Sequence, residues 1–368
     1  MRISIPLFVL LGCKEPVPQA SSPPSTVQPI EAEGIDLAVD ADGVAWASWV
    51  SDGAVFVARS TGGPFEEPVR VTEPGVAPTV GTARRPHLAV DDARIAVTFT
   101  DGVSPQADVW LYVAERESLV FSKTLLAKTG VHDTLDQSTV VFDGGEIWTA
   151  WKVGTDHDYG IVLARESQAF DPVYVTGFPG QPCECCPHEL TVLDGTPILV
   201  QRGNESDLRD IYLGFVDDLG AADVHRVSWN GWIVPGCPYD GPVTARTGSG
   251  RWVATWVDAT QGDARAWVSR SDDGGRLWDT AEVVLPDTER SHAWPQVVAS
   301  SDRLWLTVEE IWQRTHLLES ADGGQTWVER LLDEDLVDAQ LASGGGLTGL
   351  MGLNADDELV WSVLENAR

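Results

Sequence analysis

From Ile35 to the end of the chain, short runs of alternating apolar and polar residues are broken by Gly and Asp turns, then followed by a second, tryptophan-rich run. A period of two with no helical period predicts strands throughout. Seven such stretches superpose, beginning near Ile35, His87, Ser138, His188, Gly241, Trp294 and Ala339, so the repeat is about fifty residues long. Most units add a third strand, as at Ala54–Arg59, Val109–Glu115, Gly160–Arg165, Ile211–Val216, Ala264–Arg270 and Thr315–Ser320, and then a fourth. Four short antiparallel strands per repeat describe the blades of an all-β propeller, with seven blades favoured. Six is the alternative, because the first and last units could share a blade. The last unit has room for only three strands before Arg368, so Ser25 to Glu33 is expected to supply the missing outer strand.

The 368 residues suffice for one such ring; 43% are hydrophobic, with 16 Trp and 2 Met, as in a packed globular chain. A net charge of -31, from 56 acidic against 25 basic residues, excludes nucleic acid as a partner, since a phosphate backbone requires clustered Lys and Arg. The N-terminus places Arg2 before an apolar run from Ile3 to Leu11, then Leu10-Leu11-Gly12-Cys13. Such a run is too short to span a bilayer and reads as an export signal. It resembles a bacterial lipoprotein signal, which implies lipidation of Cys13; an ordinary signal peptide with a chance cysteine is the other reading. The expected organisation is a signal peptide over 1–12, a Pro/Ser-rich tether over 13–34 and the propeller over 35–368. The membrane would then be a partner through the lipid anchor, in the cell envelope. Lys14 in place of Asp favours the outer membrane or cell surface.

Two turns, Ser271-Asp272-Asp273-Gly274-Gly275-Arg276-Leu277-Trp278 and Ser320-Ala321-Asp322-Gly323-Gly324-Gln325-Thr326-Trp327, fit S-x-D-x-G-x-x-W at equivalent places in units five and six. They resemble the Asp box of the sialidase/BNR-repeat superfamily; degenerate relatives occupy Ser60–Phe65 and Glu166–Phe170. The resemblance implies a structural role for Ser271, Asp273, Gly275, Trp278, Ser320, Asp322, Gly324 and Trp327, with each Trp ring buried between blades. Sialidase chemistry would further require three arginines, an acid and a Glu-activated Tyr. The family's Arg-Ile-Pro signature is absent, and only Arg84-Arg85-Pro86 comes near it. Arg85, Arg209 and Arg290 are candidates for the trio, Tyr239 for the nucleophile, and Asp136 or Asp240 for the acid, but no spacing forces this assignment.

Apart from Cys13, every cysteine lies where a blade begins: Cys183-Glu184-Cys185-Cys186-Pro187-His188, and Gly236-Cys237-Pro238-Tyr239-Asp240. Neighbouring blades place these segments side by side at the channel mouth. Two readings compete. In an oxidising compartment Cys237 pairs with Cys185 or Cys186 and Cys183 takes the remaining partner; alternatively the thiolates and His188 hold copper or zinc. His87, His132, His188 and His292 are all expected near blade starts, and with Arg84, Arg202, Arg209 and Asp240 they nominate this funnel as the ligand-facing site. The expected function is a membrane-anchored, non-catalytic propeller that binds a glycan or protein there. A sialidase-like hydrolase and a metal or redox protein are the alternatives.

Overall fold

The middle strands of each repeat are apolar at nearly every position, which suits a strand covered on both faces rather than on one. In the computed structural model, which describes residues 25–76, 78–80, 84–102, 107–128, 134–155, 158–285, 288–311 and 313–366, that is where they lie. Ala45–Ser51, Trp252–Asp258 and Leu347–Leu353, each second in its blade, are buried almost throughout. Seven antiparallel sheets make the blades of a β-propeller. Their innermost strands are Glu33–Val39, His87–Val90, Thr134–Asp143, Glu189–Leu193, Val243–Arg246, His292–Ser300 and Val337–Gly344.

The hydrophobic core is divided among the blade interfaces. Among the described residues each apolar cluster joins two neighbouring blades. Trp46, Val55 and Ile95 join blades one and two, Trp252, Trp256 and Ile198 join four and five, and Ile35, Trp49 and Trp361 join one and seven. The last of these closes the ring. The closing strand is Ser25–Glu31, which pairs with Glu358–Asn366 in the register Ser25 to Ser362 and Gln28 to Leu359. Residues 25–31 are therefore part of blade seven, and the boundary expected at 34/35 falls inside the folded ring. The tether expected over 13–34 overlapped the outer strand expected over Ser25 to Glu33, and residues 25–31 form that strand because blade seven needs a fourth one to close. Cys13, the signal segment and the first part of the tether lie outside the described residues, as does His132.

The S-x-D-x-G-x-x-W turns sit between the third and fourth strands of blades five and six. In the second, Ser320 Oγ donates to Asp322 Oδ1 (2.8 Å), which also accepts from the amides of Gln325 (3.0 Å) and Thr326 (2.9 Å). The first turn repeats the pattern: Asp273 Oδ1 accepts from Ser271 Oγ (2.8 Å) and from the amides of Arg276 (3.1 Å) and Leu277 (2.8 Å). Gly275 and Gly324 stand at φ 89° and 85°, where a side chain is strained. Trp278 and Trp327 are half-buried rather than fully enclosed, each packed against the core of a blade interface. The expectation of complete burial is corrected accordingly: one ring edge stays at the surface because the turn carries it at the rim of the blade.

Candidate functional site

Blade four begins irregularly. Two short segments, Gln181–Pro182 and Glu189–Leu193, both pair with Thr196–Asn204, and the cysteine run 183–188 loops out between them. The loop is held by two disulfides, Cys183–Cys186 within it and Cys185–Cys237 across to the start of blade five. The first is fully buried and the second half-buried. Lys152, itself buried, donates through Nζ to the carbonyl oxygens of Cys183 (2.6 Å) and Cys186, and Gln137 Nε2 donates to that of Cys185 (2.8 Å). The Sγ atoms of Cys183, Cys185 and Cys186 lie within 4.8 Å of one another, so a soft metal would need both bridges reduced.

On the other side of this loop, the segment 228–239 is fastened at several points. Arg209 N donates to Trp232 O (2.8 Å), Val234 N to Asp207 O (3.0 Å), and Arg209 Nη2 to Gly236 O (3.0 Å). Buried Arg202 donates to the carbonyl oxygens of Asp240 (3.0 Å), Arg209 (3.0 Å) and Val257 (2.6 Å), and its guanidinium stacks 5.2 Å from the Trp232 ring centroid. Burial brings its pKa down to about 10. Arg202 and Arg209 are thus spent on holding the wall, and neither points a free guanidinium at a ligand.

Between the cysteine loop, this segment and blade six lies a cavity of about 580 Å3. Trp232, Tyr239 and Trp294 line it, with Cys185, Pro238, Val257 and Ile311 adding apolar surface and Arg84, Gln137, Asp240 and His292 the polar groups. Three of its residues hold backbone conformations that only glycine adopts freely: Gln137 at φ 50°, Tyr239 at φ 56° and Trp294 at φ 42°. Such strain gathers where a surface is shaped for use. Tyr239 is 58% exposed, Trp232 and Trp294 are half-buried, and Arg84 is exposed at the rim.

Asp240 forms the floor and is buried. Its Oδ2 accepts from Trp294 N (2.8 Å), whereas Oδ1, enclosed by protein, has no hydrogen-bond partner among the described residues. Desolvation raises its pKa to about 6, against the opposing attraction of Arg202. His292 accepts from Ala266 N at Nδ1 (3.1 Å) and meets Thr288 Oγ1 at Nε2 (2.6 Å), so it is a neutral ring with both nitrogens engaged. Burial, then Arg265, lowers it to about 4.

Asp240 and Trp294 also border the axial channel, a narrower space of about 220 Å3 lined by Asp36, Arg85, His87, His188 and Glu189. His87 Nδ1 is 3.7 Å from Asp36 Oδ2, and Arg85 lies 4.0 Å from Asp338. Burial, with Arg85 adding, brings His87 down to about 3; burial drives Glu189 up to about 7, and burial with the charges of Glu309 and Asp36, against Arg85, drives Asp338 to about 7 as well. The ring nitrogens of buried His188 make no hydrogen bond of normal geometry, and burial with Lys152 nearby keeps it neutral.

The sequence-derived site residues divide accordingly. His87, His188, Arg85 and Asp240 meet in the channel, and His292, Arg84, Tyr239 and Asp240 in the cavity. The arginine trio does not assemble. Arg85 lines the channel, Arg209, between the second and third strands of blade four, is buried behind the 228–239 segment, and Arg290 is exposed ahead of the first strand of blade six. The side chain of Asp136 lies outside the described residues. Trp232, Trp294 and Gln137 were missing from the sequence reading. A tryptophan in the polar Asn230-Gly231-Trp232 loop, too large to leave exposed without reason, was the available signal.

These features define a seven-bladed β-propeller with a walled cavity at one end of its channel. No protein-family model and no curated relative matches the sequence. Among solved structures, the chain is similar to one of a mitotic checkpoint complex, with TM-score 0.58 and 11% identity, covering 99% of each. It is likewise similar to the polysaccharide lyase Uly1, at TM-score 0.55 and 11% identity over 92% of this chain and 91% of that one. The GH93 alpha-L-arabinofuranosidase of Fusarium graminearum, solved with arabinobiose, gives TM-score 0.53 and 10% identity over 94% and 96%. At such identities the likeness is one of fold.

Proposed function

We propose that this propeller is an exported, lipid-anchored protein that binds an oligosaccharide in the cavity at the channel mouth, without cleaving it. The aromatic wall carries the reading: three large rings line one space of about 580 Å3, a lining suited to sugar C–H surfaces, and a few polar groups are there to fix orientation. Two of the similar propellers are named for acting on saccharides, which agrees with the reading without supplying the residues. Hydrolysis by the usual route needs two carboxyl groups flanking the bond, and among the described residues Asp240 is the one carboxylate lining the cavity. A sialidase route lacks its converging arginines. We assign the S-x-D-x-G-x-x-W turns to the Asp-box type, as structural elements.

Titrating tryptophan fluorescence with a panel of oligosaccharides should give saturable binding. Trp294→Ala and Trp232→Ala should each weaken it about tenfold, the loss of about 1.4 kcal/mol. A panel in which no saccharide saturates, or variants that bind like wild type, would end this reading. Anchoring is tested separately: the full chain should incorporate radioactive palmitate in bacteria and partition with membranes, and Cys13→Ala should abolish both. Normal labelling of that variant rules out the lipoprotein assignment.

A further inference from the structure

The two disulfides at the start of blade four differ in their surroundings. Cys183 and Cys186 are completely buried, whereas Cys185 and Cys237 are half-buried and Cys185 lines the cavity of about 580 Å3. A thiolate has to reach a sulfur in order to attack it, so burial separates the two bonds in reactivity. Each half of the outer bond also has a cation near it. Lys152 Nζ donates to the carbonyl oxygens of Cys183 (2.6 Å) and Cys186, on the loop that carries Cys185, and Arg209 Nη2 donates to that of Gly236 (3.0 Å), next to Cys237. Positive charge nearby stabilises a thiolate and so favours the reduced pair. The loop's own negative charge, Glu184, is turned to Arg209 Nη1 (3.5 Å).

The outer bond is at the same time the covalent tie between two walls of the cavity, joining residues 52 apart in sequence. Without it Gly236 stays on Arg209, and Asp240 stays on the Trp294 amide and on Arg202. For the three residues between them, Cys237, Pro238 and Tyr239, the remaining hydrogen bond among the described residues runs from Trp294 Nε1 to Tyr239 O (3.3 Å). Tyr239 stands at φ 56°, a conformation that a tyrosine keeps where its surroundings hold it.

We propose that Cys185–Cys237 is a thiol-exchange site, a bond that a dithiol reduces in the folded protein to release the cavity wall at 237–239, while Cys183–Cys186 stays closed. A thiolate of the dithiol forms a bond to one sulfur of the pair and displaces the other as a thiolate. The second thiol of the reductant, losing its proton, then closes the reductant's own disulfide and expels the first cysteine. Two electrons and two protons pass from the dithiol to the pair, which ends as two cysteine thiols. The assignment holds whatever the cavity binds.

The test incubates the full chain, its cysteines oxidised, with dithiothreitol at neutral pH without denaturant, then alkylates it with iodoacetamide and maps the labels by mass spectrometry, with circular dichroism confirming that the fold persists. Labels are expected on Cys185 and Cys237 at reductant concentrations at least about tenfold below those that open Cys183–Cys186. Chymotrypsin should then cut after Tyr239 at least about fivefold faster than in the oxidised protein. The double variant Cys185→Ser, Cys237→Ser should be cut at that faster rate with no reductant present. If the double variant does not fold, the labelling and cutting of wild type decide the matter. Four labels appearing together, labels on Cys183 or Cys186 at the lower concentrations, no label until the chain is unfolded, or a rate of cutting at Tyr239 that reduction leaves unchanged overturns the assignment. Each of these outcomes leaves oligosaccharide binding to its own titration.

Discussion

At the scale of single residues, the turn aspartates show how a surface side chain earns its place through the backbone. Asp322 is exposed, and what desolvation it suffers would raise its pKa. Hydrogen bonds from the hydroxyl and amide of Thr326, from Ser320 and from Gln325 prevail and hold it at about 2. The same turn sets Trp327 against the core shared by blades five and six. With the ring only half covered, Trp327→Ala should cost about 1–3 kcal/mol, less than the 3–5 of a fully enclosed tryptophan. Urea unfolding measures this, and the variant should bind oligosaccharide as wild type does, since the turn lies away from the cavity. Unchanged stability would show that the ring contributes no packing. Tyr239 is the opposite case: more than half exposed, in a left-handed backbone conformation, it lines the cavity rather than packing the core.

Strands and turns were legible in the sequence to the extent that one local rule decided them. The period of two, the Gly/Asp turns and the fifty-residue spacing follow from how a four-stranded blade must be written, and the outer strand from Ser25 was anticipated because the last unit was one strand short. The cysteine run was legible as a spatial group, since consecutive blades start side by side, and the bridge from Cys185 to Cys237 realises that. The cavity wall was not. Trp232 stands in an irregular segment fastened by Arg209 and Cys237, and Trp294 lies in a bulge between Ala293 and Gln296, near the start of the strand His292–Ser300. No periodic rule describes either place; which way such side chains face is set by tertiary contacts. The arginines failed for the same reason: position in a connection between strands does not fix direction, so Arg209, between the second and third strands of blade four, turned into the protein and Arg290 to solvent.

For the molecule as a whole, the channel buries groups of both signs of shift, and their opposition sets how stability depends on pH. Burial raises Glu189 and Asp338 to about 7 and Asp240 to about 6. A folded acid with a raised pKa holds its proton longer than the unfolded chain does. The stability it contributes is full below about pH 4 and is lost as the pH rises through 6 to 7. His87, lowered to about 3, and His292, lowered to about 4, act the other way, resisting protonation that the unfolded chain accepts near 6.5. Their contribution is present above that value and is lost as the pH falls. From pH 4.5 to 6.5 the two sets oppose each other and stability should change little. From pH 6.5 to 8 Glu189 and Asp338 together withdraw roughly 1–2 kcal/mol, while the histidines, still half protonated in the unfolded chain at pH 6.5, return about half of that, so stability should fall by about 1 kcal/mol or less. Urea unfolding at pH 5, 6.5 and 8 measures the profile, and Asp338→Asn should remove most of the decline above pH 6.5, leaving Arg85 without the carboxylate beside it. A profile that rises between pH 6.5 and 8, or a decline that survives in that variant at full size, would mean that the acids around the channel are ionised in the folded protein, held by the charges of Arg85 and Arg202.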